Sequence, residues 1–118
     1  MEAYWRWRPL LIEALDSRYY NPEWLDAQVM SGRAIFLHDY LCAVVAEVRF
    51  YPTGARDIVV ICAAGDAVQL REAMVPALSD IGRQSGCVAF VVQSRKAWSR
   101  ILKRSGFEHY QTALRKDL

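Results

Sequence analysis

Metal-binding residues are scarce in this chain, and none are arranged as a site. Histidine occurs only as His38 and His109, and Cys42, Cys62 and Cys87 are far apart, with no Cys-x-x-Cys pair. That spacing excludes a zinc site, and no metal cofactor is expected. An odd number of cysteines in apolar, strand-like surroundings points to reduced core thiols and a cytoplasmic setting. No apolar run approaches the roughly 20 residues that cross a bilayer. The opening Met1-Glu-Ala-Tyr-Trp-Arg-Trp-Arg-Pro9 lacks the basic, apolar, small order of a signal peptide, so no membrane partner is expected. Neither sign of charge dominates: 15 Lys and Arg against 13 Asp and Glu leave +2, a total that by itself indicates no nucleic-acid partner. Linkers, repeats and low-complexity stretches are also missing. With 118 residues and 53% hydrophobic content, the chain suits one domain over residues 1–118.

What is present is a strand–helix–strand–helix pattern from Asp57 to Phe107. Asp57-Ile-Val-Val-Ile-Cys-Ala-Ala64 is a short apolar, β-branched run, the mark of a strand covered on both faces. Gly65 ends it, and Asp66 is placed to N-cap a helix, with Gln69 three residues on to complete a capping box. Leu70, Ala73, Met74, Ala77, Leu78 and Ile81 recur on one helical face, with Arg71, Glu72, Ser79, Asp80 and Arg83 on the other. Pro76 lies within that helix and removes the N–H that would bond the Glu72 carbonyl. Gly82 and Gly86 are read as its end. Val88 to Val92 is a second buried strand, and Ser94 opens a last helix with Trp98, Ile101 and Leu102 inward and Gly106 at its C-terminal turn. Two such strands joined by a helix should lie parallel, with a right-handed crossover.

Before this unit the chain reads as two helices and a strand pair. Trp7, Leu10, Leu11, Ala14 and Leu15 form one stripe of a short helix, with Pro9 in its first turn. Asn21-Pro22-Glu23-Trp24 restarts a helix, with Asn21 as N-cap, Pro22 at N1 and an end at Ser31-Gly32. Arg33 to Leu37 and Leu41 to Phe50 flank the turn His38-Asp39-Tyr40, and Pro52-Thr53-Gly54 turns the chain back into the strand at Asp57. Phe107 to Leu114 reads as a closing strand. The fold class is thus α/β (α+β), a mixed β-sheet flanked by helices on both faces.

This order, together with Ala97-Trp98-Ser-Arg-Ile-Leu-Lys-Arg-Ser-Gly106-Phe107, resembles the GNAT (GCN5-related N-acetyltransferase) superfamily without its usual first strand. Within it, Ser31-Gly32, Glu47, Tyr51-Pro52, Ala64-Gly65-Asp66, Gly86-Cys87 and Arg95 with Trp98 are similar to short GNAT-like proteins of tailed phages and prophages. The resemblance implies a single GNAT-like domain, acetyl-CoA as cofactor, and transfer of its acetyl group to an amine. A phage protein would act in the host cytoplasm or with the virion.

In such enzymes the pyrophosphate of acetyl-CoA rests on backbone N–H groups where the central strand meets the next helix. The family pattern is Gln or Arg, two of any residue, Gly, any residue, then Gly or Ala. The matching frame here, Cys62 to Ala67, keeps Gly65 and Ala67 but has Cys62 at its head and a carboxylate at Asp66. The implied cofactor-binding residues are Ala64, Gly65, Asp66, Ala67, Gln93, Ser94 and Arg95. Leu102 stands where these enzymes often carry a Tyr acid. Glu47 is the candidate catalytic base, with pairing to Arg49 or Arg56 as its structural alternative. Three function classes follow: an acyl-CoA-dependent N-acetyltransferase with a degenerate cofactor loop, a non-catalytic GNAT-fold interaction or virion module acting with a protein partner or as a homo-oligomer, and a basic accessory protein touching nucleic acid. The last draws on Arg95, Lys96, Arg100, Lys103, Arg104, Arg115 and Lys116, although no aromatic side chain interleaves them on the outer face of the helix. Cys62 reads as a packed thiol and His38-Asp39 as a solvated turn. The aromatic residues Trp5, Trp7, Tyr19, Tyr20 and Trp24 read as core or lid packing, or as interface anchors.

Overall fold

The structure, a computed structural model, describes residues 1–94 and 96–118. Helix α1 (Glu2–Glu13) and α2 (Pro22–Met30) precede three antiparallel strands, β1 (Ile35–His38), β2 (Cys42–Phe50) and β3 (Arg56–Gly65). Helix α3 runs in three segments, Ala67–Gln69, a π-helical Leu70–Met74, and Val75–Gln84. Then come β4 (Ala89–Val92) and α4 (Lys96–Lys103). The sheet order is β1-β2-β3-β4, and β4 pairs parallel to β3 from Asp57↔Ala89 to Val60↔Val92, as expected. But β4 stands at the end of the sheet, only its Val91 is buried and Val88 is 74% exposed, so Val88–Val92 is not the fully buried strand its apolar run suggested.

The sheet carries a core on each face. On one face Tyr4, Leu11 and Leu15 near α1 and Leu25 and Val29 of α2 pack on Ala43, Val45 and Cys62. On the other, Leu70, Met74 and Leu78 of α3 pack on Cys42, Val44, Ala46 and Ile58, joined by Trp98 of α4. Tyr4 is fully buried and donates its hydroxyl to Asp26 Oδ1 at 2.6 Å, while Arg8 grips both Asp26 oxygens at 2.7 and 2.8 Å. This bidentate contact locks α1 to α2. Asn21 caps α2 by accepting from the Trp24 N–H at 2.8 Å.

Several local expectations need correcting. The reading of Phe107–Leu114 as a strand fails: residues 107–118 form no strand, and beyond Phe107 they are exposed. The apolar residues of that stretch, Phe107, Tyr110 and Leu114, do not share one alternating face, so a buried strand had little to hold it. Helix α1 begins at Glu2, so Pro9 lies inside it. Trp5, whose carbonyl Pro9 cannot bond, is on the exposed side, where water can satisfy it. Gly82 does not end α3. It is buried mid-helix, where a Cβ would come within 3.0 Å of Ile58 Cγ2, and the helix stops only before Gly86, which has a φ of +76°. Glycine at position 82 serves close packing, not termination. Pro76 does interrupt the ladder, and the interruption takes the form of a π segment in which the Val75 N–H reaches back to Leu70 O.

Candidate functional site

The site begins with a fault in the ladder between β2 and β3. Val45 pairs with Cys62 but Ala46 pairs with Val60, so Ile61 is an extra residue on β3. The packing shows the same bulge: Val60 and Ala63 face the α3 core, while Ile61 and Cys62, though consecutive, both face the α1 core. A bulge bends its strand and ends regular pairing. Here the β3–β4 ladder stops at Val60↔Val92, directly beside the bulge, while β3 continues to Gly65. Among the described residues, no strand therefore pairs with the β4-side edge of β3 over residues 61–65.

Into that splay opens a cavity of about 780 Å³. Its floor is the end of β3, its sides are α3 and α4, and the C-terminal end of α1 closes it. Among the expected cofactor residues, Ala64, Gly65, Gln93 and Ser94 line it. Asp66 and Ala67, which follow the lining residue Gly65 at the head of α3, do not line it, and Arg95 lies outside the described residues. Leu102 also lines it as a buried apolar side chain, so no phenol stands at that position. Cys62 lines it too, and burial pushes its thiol up to about 12, so it is protonated near neutral pH and is no nucleophile.

The N-terminus of α3 is strongly constrained. Gly65 has a φ of +101°, and a Cβ there would sit 2.3 Å from the Leu41 carbonyl oxygen. That carbonyl accepts the Asp66 N–H at 2.9 Å. Asp66 Oδ1 in turn accepts the Gln69 N–H at 2.8 Å, as a capping residue should. The expected capping box is only half made, because the Gln69 amide does not return to Asp66. It donates instead to Asp39 Oδ2 at 2.6 Å. Asp39 also takes the Leu41 and Cys42 N–H groups, at 2.7 and 2.9 Å. The Gln69 amide, with the Leu41 N–H next, holds the Asp39 carboxyl below the usual carboxylate range. The turn read as merely solvated thus ties the β1–β2 hairpin to the start of α3.

Glu47 does not line the cavity. It faces the α1 side of β2 and accepts from Arg49 Nε at 2.6 Å, the ion pair that strand alternation offered as its structural role. Among the described residues, the charged ones that line the cavity are Glu13, Asp16 and Arg71. Arg71, expected to face away, comes round within the wider π turn to 17% side-chain exposure and pairs with Glu72 at 2.9 Å. Sequence reasoning passed over Glu13 and Asp16 because they follow the apolar stripe of α1, and nothing local marks that helix end as a cavity wall. Among the described residues no group of His, Cys, Asp and Glu could hold a metal ion, and no helix is long and apolar enough to cross a membrane.

No protein-family profile and no curated protein sequence matches the chain. Solved structures do. A Trypanosoma brucei acetyltransferase superposes with a TM-score of 0.67 at 16% identity, covering 94% of this chain and 89% of that one. A ribosomal-protein-alanine N-acetyltransferase of Brucella melitensis gives 0.68 at 12% identity, covering 99% and 94%. A predicted acetyltransferase of Clostridium acetobutylicum solved with acetyl-CoA gives 0.63 at 10% identity, covering 81% and 71%. At such identities the likeness concerns architecture, and the architecture of this chain, a four-stranded mixed sheet flanked by helices, is that of the GNAT acetyltransferases.

Proposed function

We propose that the chain is an N-acetyltransferase that binds acetyl-CoA in the cavity between β3 and β4. The observation that carries this reading is the splay itself: beyond Val60↔Val92, where the β3–β4 ladder ends among the described residues, the β3 edge leads along a cavity to the N-terminus of α3. The cavity volume, about 780 Å³, lies in the range of ligand pockets, roughly 300–1,000 Å³. The unpaired edge over residues 61–65 suits an amide-bearing arm, and the apolar walls from Val60, Phe90, Trp98 and Leu102 keep water away from it. When bound, acetyl-CoA supplies a thioester carbonyl for an amine nucleophile, with its thiol as leaving group. Glu13 and Asp16 are the lining carboxylates placed to hold a cationic amine and take its proton. Glu47, tied to Arg49, would act only after that pair opened.

A second reading, a GNAT fold without catalysis that works as a binding module, is favoured by the head of α3. There the Asp66 carboxylate occupies the anion position and spends the Gln69 N–H, while Leu41 spends the Asp66 N–H. Leu102 adds to it by offering no acid. Calorimetric titration with acetyl-CoA separates the two. Asp66→Asn keeps a capping oxygen and removes the repulsion, so it should bind acetyl-CoA more tightly than wild type with little change in stability. No heat from either protein at millimolar acetyl-CoA would end the enzyme reading and leave the binding module.

A further inference from the structure

Residues 107–118 leave α4 without joining the sheet, yet both ends of this segment are held. At one end Phe107 packs edge-on against Phe90 of β4, with ring centroids 5.0 Å apart. At the other, Arg115 reaches Asp16 at 3.4 Å and Asp117 pairs with Arg18 at 2.6 Å. The guanidinium groups of Arg115 and Arg18 both stack on Tyr19, at 5.2 and 5.6 Å. Phe90 and Asp16 are lining residues of the same cavity, one on the β4 wall and one at the end of α1. The segment therefore runs from one wall of the cavity to another. Its apolar side chains between the anchors are unburied, Tyr110 at 72% and Leu114 at 94% exposure.

We propose that residues 107–118 form a strap across the mouth of the cavity, hinged at Phe107 on Phe90 and latched by the Arg115–Asp16 and Arg18–Asp117 pairs. The crossing is inferred from its two anchors, Phe90 and Asp16, which both line the cavity, whereas residues 107–118 contribute no lining residue themselves. Latched, it restricts entry; released, it swings clear about Phe107. The latch is built to open. Its ion pairs are solvent-exposed, at 49% and 73% for Arg18 and Asp117 and 55% and 47% for Arg115 and Asp16, where such pairs are weak and salt-screened. The hinge is apolar and does not share that sensitivity. Because Asp16 serves both as cavity wall and as latch, a cationic group entering the cavity competes with Arg115 for it.

Cys62 is a built-in reporter, since it lines the cavity and is only 4% exposed. Cys42, fully buried on β2 and not part of the lining, is the internal control. Burial raises both thiols, and each keeps its own surroundings across the proteins compared, so a change in their ratio reports a change in access. The full-length protein is labelled with methyl methanethiosulfonate, and each cysteine is scored by peptide mass spectrometry. Arg18→Asp should raise the Cys62 to Cys42 labelling ratio several-fold, and so should raising salt from about 0.05 to 1 M in the wild type. The double exchange Arg18→Asp with Asp117→Arg should restore the slow rate. An unchanged ratio, a parallel rise of Cys42 from general loosening, or no rescue by the double exchange would each overturn the strap. No ligand enters this test, so its outcome is independent of acetyl-CoA binding.

Discussion

Gly65→Ala tests whether the head of the cavity is set by backbone contact. Gly65 sits at φ +101°, and the added Cβ would lie 2.3 Å from Leu41 O and 2.7 Å from Cys42 Cα. Both neighbours are backbone at the start of β2, so relief requires the strand to move. Left-handed backbone costs a non-glycine residue about 1–3 kcal/mol. Displacing the Leu41 carbonyl also weakens its bond from the Asp66 N–H, at 2.9 Å, for about 1 kcal/mol more. We expect a total loss of about 2–4 kcal/mol, a large share of a total stability of about 5–15 kcal/mol. Gly32→Ala and Gly54→Ala are the controls: their φ values are +76° and +88°, but nothing lies within 4 Å of the added Cβ. They should lose only the conformational part, about 1–2 kcal/mol. Urea unfolding followed by circular dichroism measures all three. If Gly65→Ala fell within about 0.5 kcal/mol of the controls, the close approach of Leu41 would not be what demands glycine there.

Further outcomes follow from other parts of the fold. Trp98 is partly buried, packs on the α3-side core and lines the cavity, so Trp98→Ala should cost about 3 kcal/mol in urea unfolding; a loss below about 1 kcal/mol would place the ring on the surface. Arg8, with the Tyr4 hydroxyl assisting, holds the Asp26 carboxyl below the usual carboxylate range. A depressed folded pKa contributes stability above the unfolded value, near 4, that is lost as the pH falls through the folded value. Wild type should therefore lose stability more steeply below about pH 4 than Asp26→Asn, and parallel acid-unfolding curves would refute the assignment. The effect of Asp66→Asn on acetyl-CoA titration and that of Arg18→Asp on Cys62 labelling complete the set.

The central strands and helices were legible because each announces itself locally. Asp57–Ala64 and Val88–Val92 are apolar enough to be strands and nothing else, and the stripe from Leu70 to Ile81 has one helical period. Asn21-Pro22 and Asp66 act within three residues of themselves, and both caps form as read. The parallel pairing of β3 and β4 then follows from chain connectivity and handedness. Gly82 and Pro9 were misplaced because a residue that breaks a helix in isolation is tolerated when a neighbour needs its small volume or its lost bond faces water.

The cavity depended on contacts that no short window of sequence contains. An extra residue at Ile61 is visible only against its partner strand, since a bulge is a mismatch between two paired strands, here between Val45↔Cys62 and Ala46↔Val60. For Glu47 the sequence offered two roles, base or partner of Arg49, and only the fold showed that it stands outside the cavity with the pair made. Glu13 and Asp16 gained their place from where α1 ends over β3, and Arg71 from the turn of the π segment. Asp39 met Gln69 across 30 residues, and Asp16 met Arg115 across 99. Periodicity, capping and turn chemistry are local energies, so the residues alone determine the elements and their order. Where two strands part, and which side chains then face each other across the gap, is settled only when the whole sheet and both of its cores close together.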